Sequence, residues 1–140
     1  MSVRAVRAGD ARFPREGLRI GTVRHPPRGV RKADYARRNY FDLWLPELSP
    51  SAELVHWYLS SEPSDARWQR FAKSYRREMQ APECQRLIDL LAAFSRAADF
   101  SIACYCEHED RCHRSILREL LAEHGARIAV AKLRSSRSTK

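Results

Sequence analysis

The sequence predicts an α/β fold: one compact domain with a small, mainly parallel sheet flanked by helices. Three observations carry that reading. The chain has 140 residues, enough for one hydrophobic core. At 44% hydrophobic and 31% charged residues, its composition is that of an ordinary globular protein. Strand, helix and strand signals follow one another with short joints over Phe100–Leu133. That pattern is a C-terminal βαβ unit, whose two strands run parallel through a right-handed crossover.

Each element has its own local signal. Val3–Arg7 reads as a short edge strand. Leu18–Arg24 alternates weakly, carries β-branched residues and is stopped by His25-Pro26-Pro27-Arg28-Gly29. Asp34–Leu48 reads as helical or mixed. Ser49 before Pro50 has the pattern of an N-cap followed by proline, which opens a helix over Ala52–Leu59. Ser64 caps a second helix, with Trp68, Phe71, Ala72, Tyr75 and Met79 on one face. Pro82 opens a third, striped by Leu87, Ile88, Leu91 and Phe94, with Cys84 on its polar side as an incidental thiol.

Phe100–Cys104 is an apolar run suited to a buried strand, and a polar loop follows. Cys112–His124 is helical, with Ile116, Leu117, Leu120 and Leu121 facing the core and Gly125 as its stop. Arg127–Leu133 supplies the last strand. The domain therefore spans residues 1–133, and 134–140 is a basic, flexible tail.

The net charge of +9 is uneven: +8 over residues 1–40, −4 over 41–126 and +5 over 127–140. Basic segments of this kind suit phosphate, carboxylate or nucleic acid partners. Arginine outnumbers lysine 22 to 4, which GC-rich coding also produces. The longest apolar stretch, Leu87–Phe94, is broken by Asp89 and is too short to cross a bilayer. Met1–Arg19 has no apolar signal region, and four cysteines without one point to free thiols or a metal in a reducing compartment. The expected location is the cytoplasm, with no membrane partner.

Ligands of parallel sheets bind beyond the carboxyl ends of the strands, which directs attention to loops 24–32 and 106–114. Three chemistries compete there. In the first, an anionic small molecule sits at the helix N-terminus, held by Arg24, Arg28, Gly29 and Lys32 from one loop and Cys106, His113 and Arg114 from the other. Alternatively, Arg114 pairs with Glu107 or Asp110 and pins the loop. In the second, Cys112 at the helix N-terminus beside His113 is a reactive thiol. A phosphatase- or rhodanese-type loop suits it poorly, because the residues between Cys106 and Arg111 include three carboxylates and no glycine. In the third, Cys104, Cys106 and Cys112 with His113 or His108 bind zinc, although the paired C-x₂-C spacing is missing. The plain alternative for Cys104 is a small buried hydrophobe.

Three segments carry a family resemblance: RIGTVRHPPRGVRK at 19–32, WLPELSPSAEL at 44–54, and CYCE followed by CHR within 104–114. Together they resemble the YeaO-like proteins, the family of domain of unknown function 488. The resemblance implies a compact bacterial-type α/β domain and the location of its site; it implies no established activity. The family pattern places C-x-E before C-H-R. Here Cys106 stands at the glutamate's place and Glu107 follows, which makes Glu107 the candidate carboxylate beside Cys112.

Overall fold

The computed structural model describes residues 1–106 and 111–129. Its sheet has four strands: β1 (Val3–Arg7), β2 (Leu18–Gly21), β3 (Leu43–Trp44) and β4 (Phe100–Cys104). They lie in the order β1-β4-β2-β3, and every pair is parallel. The helices are α1 (Ala52–Leu59), α2 (Asp65–Glu78), α3 (Pro82–Phe94) and α4 (His113–Glu123). β4 is central, with Val3–Arg7 paired to Phe100–Cys104 on one side and Leu18–Gly21 paired to Phe100–Ala103 on the other. All five of its residues are buried, as an unbroken apolar run requires in a covered parallel sheet. The main core joins this sheet to the helices through Phe71, Tyr75, Ile88, Phe100, Ile102, Leu117 and Leu121. The predicted α/β class is the observed one.

The C-terminal unit differs in its return. Among the described residues, the chain after α4 makes one parallel bridge, Ile128 to Val3, fixed by Val3 N–H to Arg127 O and Ala129 N–H to Val3 O, both 2.8 Å. The segment therefore lies outside β1 and not beside β4, because β1 already fills the position next to β4. Residues 130–133 of the expected strand and the tail 134–140 lie outside the described residues.

Local signals held unevenly. Ser64 caps α2 as expected, accepting the Arg67 N–H at 3.1 Å. The cap of α1 is Ser51, which accepts the Leu54 N–H at 3.1 Å. Ser49 instead donates its hydroxyl to Pro46 O at 2.7 Å, closing the preceding turn. The Asp34–Leu48 stretch contains no α-helix. It holds β3 between two 3-10 turns, Lys32–Asp34 and Pro46–Leu48, and Asn39 at φ +64° diverts the chain between them. β2 ends at Gly21, where a Cβ would stand 2.4 Å from the Phe41 ring. Cys84 is buried and donates to Glu47 O at 3.3 Å, so it belongs to the core rather than to a polar face.

Part of the N-terminal charge is consumed internally. Arg19 pairs with Glu16, Arg12 with Asp42, and Arg31 and Arg37 with Asp34. No helix among the described residues is long and apolar enough to cross a membrane.

Candidate functional site

The carboxyl end of β4 delivers Cys104, the next turn delivers Cys106, and the extended N-cap of α4 is Cys112. Their three sulfurs lie within 4.8 Å of one another. Cys112 S–H donates to Cys104 Sγ at 3.3 Å, and Cys104 S–H donates to Cys106 Sγ at 3.6 Å. Cys112 is 1% exposed, Cys104 is buried, and Cys106 is open to solvent.

His113, the first residue of α4, lies buried beneath them. Its Nε2 is 2.8 Å from the Thr22 carbonyl oxygen. A carbonyl only accepts, so Nε2 carries the proton and the Nδ1 lone pair faces the sulfurs. Nδ1 is 3.8 Å from both Cys104 Sγ and Cys112 Sγ. Burial pushes the imidazole down to about 4, so the ring is neutral. The hydrogen bonds from Cys104 and then Cys112 hold the Cys106 thiol well below its ordinary range. Donation to Cys106 raises Cys104 to about 11, and donation to Cys104 raises Cys112 strongly. The order of donation favours the thiolate at the exposed sulfur.

Above the cluster is a cavity of about 330 Å³. Val23, Val55, Tyr58, Leu59 and Phe71 form apolar walls, while Arg24, His25 and Arg111 stand around them. Arg24 donates to Ser49 O at 3.4 Å and Pro50 O at 3.2 Å; Arg111 bonds Asp65 and, at 3.3 Å, Ser64 O. Tyr105 O–H donates to His25 O at 3.0 Å and ties the two loops together.

Of the residues expected in the site, Arg24, Cys106, Cys112 and His113 meet at this cavity, and so does Cys104. Arg28 and Gly29 do not line it, and Lys32 lines a separate groove with Tyr35, Phe41 and Trp44. Arg114 does not face it either. Its buried guanidinium donates to Val6 O and, at 2.9 Å, to Cys106 O, bracing β1 against the loop after β4. Glu107 lies outside the described residues, as do His108 and Asp110. Cys112 occupies the helix terminus, but burial closes it off and Cys106 is the accessible thiol. The walls from α1 and α2 left no sequence signal, since Val55, Tyr58 and Phe71 are far from the cysteines along the chain. Thr22 acts through its main-chain carbonyl, which no residue type advertises.

No curated protein and no solved structure matches the chain. A family model described as the Active DUF488-N3 subclade matches residues 3–125. That span holds all four strands, all four helices and the whole cysteine cluster, and the chain belongs to this subclade of the domain of unknown function 488 family.

Proposed function

We propose that the protein is a thiol-dependent enzyme that takes a small molecule with an apolar body and an anionic group into the cavity above the cysteine cluster. Cys106 supplies the nucleophilic sulfur. The single observation that carries this reading is that Cys106 is the exposed member of three contacting thiols and lines an apolar cavity beside two arginines. Thiol nucleophiles work where a neighbouring donor and access coincide, and Cys106 has both. Arg24 is the residue assigned to the anionic group; its guanidinium offers several donors in a fork that matches a carboxylate or phosphate. Tyr58 and Phe71 accommodate the apolar body. Unpaired thiols suit a reducing compartment, and the cytoplasm is the location that fits this reading.

The test pairs aromatic carboxylates and phosphate esters with their neutral amides and alcohols, and measures protection of Cys106 from alkylation. The anionic members should slow alkylation at least about tenfold, and Arg24→Ala should abolish the difference. Equal protection by the neutral partners, or none by either set, overturns the reading.

A further inference from the structure

We propose that Cys104, Cys106, Cys112 and His113 form a zinc site, and that zinc held there silences the thiol by coordinating Cys106. The silencing rests on the thiol reading above; the metal site stands without it.

A tetrahedral zinc with Zn–S bonds of about 2.3 Å has sulfur–sulfur edges of about 3.8 Å, and edges to nitrogen slightly shorter. Four of the six edges are 3.3 Å for Cys112–Cys104, 3.6 Å for Cys104–Cys106 and 3.8 Å from His113 Nδ1 to each of Cys104 and Cys112. These four separations are close to what one ion needs; the Cys106 and Cys112 sulfurs lie within 4.8 Å, and coordination draws the exposed Cys106 sulfur inward to close the set. The donor set of three thiolates and an imidazole is among those that zinc prefers.

A metal-binding imidazole almost always donates its other N–H to a carbonyl or carboxylate, which sets the tautomer and aims the ligating nitrogen. His113 does this through Nε2 to Thr22 O at 2.8 Å, while Nδ1 faces the sulfurs. The orientation is thus set by β2 and α4 without the ion.

Charge and access agree. Three thiolates, a neutral imidazole and Zn²⁺ make a complex of net charge −1. The buried guanidinium of Arg114, bonded to Cys106 O at 2.9 Å and Cys104 O at 3.5 Å, lies next to it. On binding, the thiol protons leave to solvent and three Zn–S bonds and one Zn–N bond form, with no change of oxidation state. The ion enters through the cavity, where Cys106 is exposed and the other three ligands are buried.

The experiment strips the full chain with a chelator under reductant and titrates zinc against a chromophoric competitor. A parallel cobalt titration reads thiolate-to-metal charge transfer. One equivalent should bind. Cys106→Ser, an exposed and structurally mild change, should weaken binding at least about 100-fold, beyond what loss of an outer-shell partner costs. His113→Gln should weaken it as well, with folding checked by circular dichroism, whereas Cys84→Ser should leave it unchanged. Zinc loading should slow Cys106 alkylation at least about tenfold, and chelation should restore it. Absence of stoichiometric zinc binding, or equal weakening by Cys84→Ser, overturns the site. One equivalent bound with Cys106 still freely alkylated overturns the silencing. Failure of every ligand in the protection assay, with zinc bound as described, overturns the enzyme reading and upholds the metal site.

Discussion

Arg19 and Glu16 form a 2.6 Å ion pair with both side chains shut off from solvent. The guanidinium also donates to Asp10 O at 2.9 Å and Asn39 O at 2.7 Å. The carboxylate accepts the Ser101 hydroxyl at 2.6 Å and the Phe13 N–H at 2.9 Å. The pair thus fastens the β1–β2 loop and the turn before Phe41 to the two central strands.

Removing one member leaves the other charged and buried. Arg19→Met should therefore cost about 3–5 kcal/mol of stability, read from urea unfolding. A loss below about 1 kcal/mol would mean that the loop rearranges freely around the missing partner.

Acid should dissolve the same pair. Burial alone would raise the Glu16 pKa, but hydrogen bonds from Arg19, Ser101 and the Phe13 N–H, with the Arg19 charge, outweigh it and hold the carboxyl below its ordinary 4.5. A folded-state pKa below the unfolded value means that the contribution is complete above that ordinary value. It is lost as the pH falls from there through the lowered value. Urea midpoints across this acid range should fall more steeply for the wild-type chain than for Glu16→Gln. Parallel slopes would contradict the assignment.

Arg114 braces two backbone carbonyls at once, and a lysine cannot reproduce the fork. Arg114→Lys should lose about 2 kcal/mol, with faster amide exchange at the end of β1. Unchanged exchange there would show that the brace is not what holds β1 to the loop.

Thiol reactivity should follow access. With the metal-free chain at limiting iodoacetamide, peptide mapping should find Cys106 modified first. Cys84, Cys104 and Cys112 should react only on unfolding, since all three are buried. Early labelling of Cys112 would place solvent on the other side of the cluster.

Gly17 and Gly29 both have positive φ, at +75° and +73°, but their surroundings differ. A Cβ at Gly17 would stand 1.9 Å from Asp99 O, while one at Gly29 meets nothing within 4 Å. Gly29→Ala should cost about 1 kcal/mol for the left-handed backbone alone. Gly17→Ala should cost clearly more, because the strand-side backbone must also move; equal thermal shifts would refute this.

What the sequence determined by itself is what short-range physics controls. The Ser64 cap, the 71–75–79 apolar spacing, the Pro82 start, the buried 100–104 run and the stop at Gly125 each act within a few residues, and each appears where expected. The gathering of Cys104, Cys106, Cys112 and His113 was legible as well, since β4 leads through a short loop into the helix that carries the last two. Tertiary structure decided the rest. Ser49 and Ser51 flank one proline, and their partners separate their roles: the Ser49 hydroxyl turns back to Pro46 O, while Glu78 holds Ser51 at the cap of α1. The sequence assigns Arg114 to the anion site and gives no role to Arg19; both are buried, which no local pattern signals, because burying a guanidinium is costly unless partners distant in sequence meet it. Which cysteine is open, and which nitrogen of His113 faces the sulfurs, depend on walls from α1 and α2 and on a carbonyl of Thr22. Exposure and tautomer are properties of the surroundings, and those surroundings exist only once the chain has folded.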